Sequence, residues 1–194
     1  MSLTVEKCLQ AWTNSLKQMN AKADIVFFGD SLTYNGDFAS VYPNKVVCNL
    51  GLRGDTIKGL IDRLQQVIML NPKYVFLMAG INDITNNDPE QFETQYEILI
   101  KHLKCIENDI TLVVQSILPV NSVDFHVSCN NEQIRIYNEI IANLANRYHI
   151  LFIDLFSRYC IDGVLPKIWT VDGIHLKTSE YSRWYNEILN KVYI

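Results

Sequence analysis

A chain of 194 residues that is 48% hydrophobic can bury a sizeable core, and nothing in that length requires a second domain. Its formal net charge of −4 leaves no basic surface to hold nucleic acid or anionic lipid, which points to a small-molecule partner. The five cysteines, Cys8, Cys48, Cys105, Cys129 and Cys160, lack a Cys-x-x-Cys spacing, so neither a disulfide framework nor a zinc site is indicated and reduced thiols are expected.

From Val5, apolar residues recur at Leu9, Trp12, Leu16 and Met19, the spacing of a helix with one buried stripe. Ile25 to Phe28 is a short run of β-branched and aromatic residues, which predicts a buried strand that hands over at Gly29 to Asp30 and Ser31. An irregular stretch to Lys45 follows, with room for a short helix at its start. Val46 to Leu50 reads as a second strand ended by Gly51-Leu52-Arg53-Gly54-Asp55-Thr56. Beyond it Ile57, Leu60, Ile61, Leu64, Val67 and Ile68 predict one helix, capped by Asp55 or Thr56 and closed by Asn71-Pro72.

Tyr74 to Ala79 is the third apolar strand and runs into Gly80-Ile81-Asn82-Asp83. Asp88-Pro89-Glu90-Gln91 has an N-cap, a proline at the first helical position and a capping-box glutamine, and Phe92, Tyr96, Leu99, Leu103 and Ile106 then share one face. A fourth strand spans Ile110 to Leu118, ended by Pro119. After a loop to Asn130, a helix carries Ile134, Tyr137, Ile141, Leu144 and Tyr148, and Ile150 to Ile153 is the fifth strand. A long connection from Ser157 to Val171 leads to Asp172-Gly173-Ile174-His175. A closing helix begins near Ser179 and carries Tyr181, Trp184, Ile188 and Val192.

Strands alternating with helices predict an α/β fold, a three-layer α/β/α sandwich around a five-stranded parallel sheet of flavodoxin type, built as one domain over residues 1–194. No apolar run reaches the length of a membrane span, and the amino terminus lacks the apolar core of a signal peptide. The expected location is the cytoplasm, unless Met1-Ser2-Leu3 replaces a removed leader, in which case the protein is exported.

In open α/β sheets ligands bind at the carboxyl edge of the strands, and four polar clusters of this sequence fall there. Nucleophilic ester cleavage needs a hydroxyl, a base, a group that orients the base, and donors for the oxyanion. Ser31 supplies the hydroxyl. His175 and Asp172, three residues apart, supply the base and its partner. Gly51 and Gly54 let backbone N–H groups approach a ligand, and Asn82 adds an amide donor. Each cluster also has a plain structural reading: a capped strand-to-helix turn at Asp30-Ser31, a tight turn at Gly51 to Gly54, an Asx-turn at Asn82, and cap chemistry at Asp172-x-x-His175. Four such clusters at four strand ends favour the chemical reading.

Gly29-Asp30-Ser31-Leu32, Asn49-Leu50-Gly51-Leu52-Arg53-Gly54-Asp55-Thr56, Gly80-Ile81-Asn82-Asp83 and Asp172-Gly173-Ile174-His175 resemble the four ordered blocks of the GDSL, or SGNH, hydrolases, and the match spans nearly the whole chain. The second block is similar to that of the platelet-activating-factor acetylhydrolase-like branch. The resemblance implies Ser31 as nucleophile, His175 as general base with Asp172 as its partner, and an oxyanion hole from Ser31, Gly54 and Asn82. It also implies a flavodoxin-like sandwich with no metal and no cofactor. The α/β-hydrolase elbow Gly-x-Ser-x-Gly is absent, since Thr33 stands in its last position. Asp30 is expected to order the turn rather than react.

The loops free to shape a substrate pocket bring Tyr34, Asn35, Arg53, Phe125, His126 and Trp169. These mix flat aromatic faces with hydrogen-bonding tips, and no cap domain remains to enclose a long acyl chain. The expected substrate is a small-molecule ester with a short acyl group, acetyl first, on a polar carrier such as a sugar. The competing classes are a lipid acylhydrolase of lysophospholipase or thioesterase type, a metal-dependent phosphoesterase using Asp30, Asp55, Asp83, Asp172 and His175, and a non-catalytic binding module.

Overall fold

Successive side chains of a strand point to opposite faces, and in Ile25-Val26-Phe27-Phe28-Gly29 every residue is buried, so this strand needs cover on both sides. The computed structural model describes residues 22–106 and 110–194; the helix expected from Val5 to Met19 lies outside them, as does Cys8. The chain runs β1 (Ile25–Gly29), α1 (Ser31–Tyr34), β2 (Val47–Gly51), α2 (Ile57–Asp62), α3 (Gln65–Leu70), β3 (Tyr74–Met78), α4 (Pro89–Lys104), β4 (Thr111–Gln115), α5 (Asn131–Arg147), β5 (Leu151–Ile153), α6 (Phe156–Tyr159) and α7 (Tyr181–Lys191). All strand pairs are parallel, in the order β2-β1-β3-β4-β5, which is the expected flavodoxin-like order.

The register places the site. Gly29 stands opposite Gly51 on one side and Met78 on the other, so β1, β2 and β3 end at one level of the sheet. The connections after them therefore deliver Ser31, Gly54 and Asn82 to the same edge. The strand order reverses about β1, the crevice where open α/β sheets bind ligands.

Two apolar cores follow from the alternation. Val26, Phe28, Leu50, Val75 and Leu77 pack under Ile57, Leu60, Val67, Phe92, Leu99, Ile134 and Ile141 from α2 to α5. On the other face Ile25, Phe27, Phe76, Met78 and Val113 meet Phe38, Tyr159, Tyr181, Trp184 and Ile188. Phe27 lies between Phe38 and Phe76, with ring centroids 3.8 and 4.7 Å away and planes within 8° of parallel. At the Phe27–Phe76 separation such stacking adds about 0.5–1.5 kcal/mol beyond the area buried.

The single helix expected from Ile57 to Ile68 is two. Arg63 leaves helical geometry at φ −112° and ψ 15°, because its side chain turns inward to Asp55 and to the Gly29 carbonyl, and α3 restarts at Gln65. Asp88 caps α4 as expected, accepting from the Gln91 amide at 2.8 Å. A reciprocal capping box forms at Asn130 and Gln133 on α5. The fourth strand is shorter than expected, since after Gln115 the chain leaves the ladder and the Ile117 amide donates to Asn138 instead. Cys48, Cys105, Cys129 and Cys160 are free thiols. Among the described residues no helix is long and apolar enough to cross a membrane.

Candidate active site

Ser31 is the first residue of α1, so its N–H has no intrahelical acceptor. Asp30 caps that helix through Oδ1, which accepts from the Leu32 amide at 2.9 Å; this is the turn-ordering role expected of it. The Ser31 hydroxyl then faces the other end of the chain, with Oγ 2.8 Å from His175 Nε2. On the far side of the ring His175 Nδ1 lies 2.7 Å from Asp172 Oδ2. An ionised carboxylate can only accept, so the proton sits on Nδ1 and the Nε2 lone pair is turned to Ser31.

The segment carrying this pair is a clasp of backbone bonds. Asp172 Oδ1 accepts from the amides of Ile174 at 3.0 Å and His175 at 2.8 Å. Thr170 Oγ1 donates to the His175 carbonyl and accepts from the Gly173 amide. Burial works to raise the Asp172 carboxyl, but hydrogen bonds from the His175 amide, the imidazole and the Ile174 amide outweigh it and hold the group below the usual carboxylate range. Gly173 has φ +92°, and a Cβ there would stand 2.7 Å from Phe125 Cβ, so both conformation and space call for glycine.

Asn49 braces the turn after β2. Its Oδ1 accepts from the Gly51 amide, and its Nδ2 donates to the carbonyls of Thr33 and Gly36 just past the serine. Gly54 has φ +73° with no atom within 4 Å of a notional Cβ, so the backbone, not crowding, dictates glycine there. Asn82 Nδ2 donates to the Asp55 carbonyl at 2.8 Å, which ties the end of β3 to the Gly54 turn and leaves a second amide hydrogen for a ligand. Backbone N–H groups at Ser31 and Gly54 and the Asn82 amide are thus donors suited to an oxyanion.

Beneath them lies a buried ionic cluster. Arg63 Nε donates to Asp55 Oδ2 at 2.7 Å, with both side chains only 4% exposed, and Nη2 donates to the Gly29 carbonyl. Asp83 accepts from the Ile57 amide and from Asn87 Nδ2. Burial pushes the Asp30 and Asp83 carboxyls each up to about 7, with neighbouring carboxylates adding to the rise. It also raises Asp55, although Arg63 pulls the other way. Asp30 Oδ2 and the Tyr96 hydroxyl are buried and have no hydrogen-bond partner among the described residues. Sequence reasoning missed Arg63, because no local pattern separates it from an arginine on a helix surface.

The remaining pocket candidates fall into separate groups. Tyr34, Asn35 and Arg53 come together, with Arg53 Nη2 3.0 Å from Asn35 Oδ1 and Cζ 4.9 Å from the Tyr34 ring centroid. Phe125 is half-buried against the Gly173 turn, and exposed His126 follows it with no hydrogen bond or ion pair among the described residues. Trp169 packs edge-on against Tyr159 and under the Arg183 guanidinium, which makes it a contact between loop and core. The carboxylates of Asp30, Asp55 and Asp83 are turned to the Leu32 amide, Arg63 and the Ile57 amide. Among the described residues no three His, Cys, Asp or Glu side chains converge as a metal-ligand set.

The GDSL-like lipase/acylhydrolase family matches residues 27–183. No curated protein matches the chain. Among solved structures, a Streptococcus pneumonia protein assigned as a platelet activating factor superimposes with a TM-score of 0.84 at 23% identity, covering 100% of both chains. A GDSL-like lipase from Bacteroides thetaiotaomicron gives a TM-score of 0.78 at 18% identity over 94% of this chain and 95% of that one. The acetyl xylan esterase AlAXEase gives 0.75 at 23% identity over 87% and 99%. At these identities the solved structures show the shared fold.

Proposed function

Since the chain belongs to the GDSL-like lipase/acylhydrolase family and is a carboxylic ester hydrolase, we propose that it works through an acyl-enzyme on Ser31. His175 Nε2 takes the Oγ proton as Oγ bonds to the ester carbonyl carbon. The carbonyl electrons move onto oxygen, where the N–H groups of Ser31 and Gly54 and the Asn82 amide receive them. The C–O bond to the alcohol then breaks and His175 returns its proton to the departing oxygen. A water molecule repeats the sequence on the acyl-enzyme, losing its proton to His175 and releasing the acid and Ser31. Asp172 keeps the proton on Nδ1 and faces the imidazolium formed in each half-reaction.

The observation that carries this reading is the hydrogen-bonded line Ser31 Oγ, His175, Asp172, with links of 2.8 and 2.7 Å. Ser31→Ala is expected to abolish hydrolysis of an aryl acetate while the far-UV spectrum and Tm stay as in the wild type. Turnover retained by the folded variant contradicts the assignment.

The proposed substrate is a short-chain ester, acetyl by preference, on a polar alcohol of carbohydrate type. Tyr34, Asn35 and Arg53 offer it an aromatic face and hydrogen-bonding tips, and the likeness in fold to an acetyl xylan esterase is in keeping with it. A second reading, a lysophospholipase or thioesterase, draws on Val123, Ile168 and Val171, which are 79%, 71% and 64% exposed on the loops leading to His175. Acetyl, butyryl and octanoyl esters of one alcohol separate the two by kcat/KM. Each methylene changes discrimination by only about 1–3 kcal/mol, so a graded fall with length supports the first reading and a rise supports the second.

A further inference from the structure

Arg53 directly precedes Gly54, and its exposed side chain is held in place at the edge of the candidate site. Nη2 donates to Asn35 Oδ1 at 3.0 Å, and Cζ stands 4.9 Å from the Tyr34 ring centroid. Those two partners lie three and four residues beyond Ser31. The backbone under them is equally fixed: a Cβ on Gly51 would stand 2.1 Å from the Tyr34 nitrogen, and Asn49 bridges β2 to the Thr33 and Gly36 carbonyls.

Neither partner carries a negative charge. Arg63, Arg147, Arg158 and Arg183 each pair with a carboxylate, whereas Arg53 has none within ion-pair distance among the described residues. Arg135 shares that condition but lies over the Phe156 ring and against Cys160. A protein of net charge −4 has thus placed a positioned, unneutralised cation next to the Gly54 turn. A guanidinium has five N–H donors in a planar fork that matches a carboxylate or phosphate, and Asn35 occupies only one of them.

We propose that Arg53, clamped by Tyr34 and Asn35, determines specificity by binding an anionic group, a carboxylate or phosphate monoester, carried by the ester substrate. This rests on the esterase reading of Ser31 and extends it to the charge of the substrate. The anion stands on either the acyl or the alcohol portion. A guanidinium that holds its anion through two parallel hydrogen bonds favours anionic over neutral esters mainly through KM, and the preference weakens as salt rises.

The test compares two pairs of substrates, each with an anionic and a neutral member. On the acyl side an aryl hemisuccinate is set against the aryl pentanoate, and on the alcohol side an acetylated hexose phosphate against the acetylated hexose. In one pair the wild type is expected to prefer the anionic member by about tenfold or more in kcat/KM, with the preference falling between low and high salt. Arg53→Gln is expected to reduce that anionic-to-neutral ratio by about tenfold, and Arg53→Lys, which keeps the charge without the fork, to restore part of it. A ratio that Arg53→Gln leaves unchanged, or no anionic preference in either pair, overturns the assignment. Turnover of the neutral members by the wild type and its loss in Ser31→Ala report the esterase reading separately. If neutral turnover is present and the ratio is insensitive to residue 53, the Arg53 proposal alone fails; if Ser31→Ala still turns over, the esterase reading fails and takes this one with it.

Discussion

Ser31, Gly54 and Asn82 stand over a buried ionic floor, whereas His175 and Asp172 stand in a clasp whose side chains are 31% and 51% exposed. In the floor Arg63 holds both Asp55 and the last carbonyl of β1, so its charge is part of what joins β1 to the Gly54 turn. In the clasp the holding is done by backbone amides, Thr170 and the hydrogen bond between the Asp172 carboxylate and the His175 ring. The difference teaches where chemistry and stability separate. On the proposed mechanism, a change in the clasp is expected to remove reactivity from a folded protein, and a change in the floor to remove the fold itself.

The largest effect is expected in the clasp. Asp172→Asn keeps the shape but no longer fixes the imidazole tautomer, so kcat is expected to fall by about 10⁴. Tm should stay close to that of the wild type, because the altered hydrogen bond is at the surface and its net worth is about 0.5–1.5 kcal/mol at most. Steady-state kinetics beside thermal melts check both halves, and a variant that loses stability instead of activity breaks the comparison.

In the floor the expectation is reversed. Arg63→Met leaves the Asp55 charge buried with the Thr56 amide but no countercharge, and breaking such a pair costs about 3–5 kcal/mol. Urea unfolding of variant and wild type measures it. A loss below about 1 kcal/mol would mean that Asp55 is relieved by protonation or by water.

Asn82 belongs to both regimes, since one amide hydrogen holds the Asp55 carbonyl and the other is left to a ligand. Asn82→Ala is expected to lower kcat by about 10²–10³ with little change in KM, the usual effect of losing one oxyanion donor. An unchanged kcat moves Asn82 wholly into the floor.

The smallest expected effect is a pH dependence of stability. Asp30 and Asp83 have folded-state values near 7, raised by burial above the unfolded range, so the folded protein binds more protons than the unfolded chain between those limits. Their contribution is fully present below the unfolded value of about 3.9 and is lost as pH rises through about 7. Asp83→Asn cannot ionise, so its Tm relative to wild type is expected to rise between pH 5 and pH 8. A constant difference would place Asp83 as an ordinary ionised carboxylate.

The clasp was far more legible in the sequence than the floor. Asp172, Gly173 and His175 are close neighbours, and their spacing already carries the bonds they make. Ser31 and Asn82 were legible because apolar runs end where they stand, and parallel register brings strand ends to one edge. Arg63 was not, because its partners Asp55 and Gly29 are 8 and 34 residues away and nothing local distinguishes a buried arginine from one on a helix surface. The break in the helix after Asp62 was hidden for the same reason. Trp169 was legible as a loop aromatic, but the Tyr159 ring and the Arg183 guanidinium that it packs against come from distant segments and were not.

The central claim is that Ser31 is a nucleophile activated by His175 across the 2.8 Å contact. A fluorophosphonate probe, followed by peptide mass spectrometry, tests it directly, because phosphonylation of a serine needs the hydroxyl, the base and the oxyanion donors together. The expected result is one label per chain on Ser31, lost in His175→Ala while the variant remains folded. A label on another residue, or labelling of Ser31 that is indifferent to His175, would contradict the account.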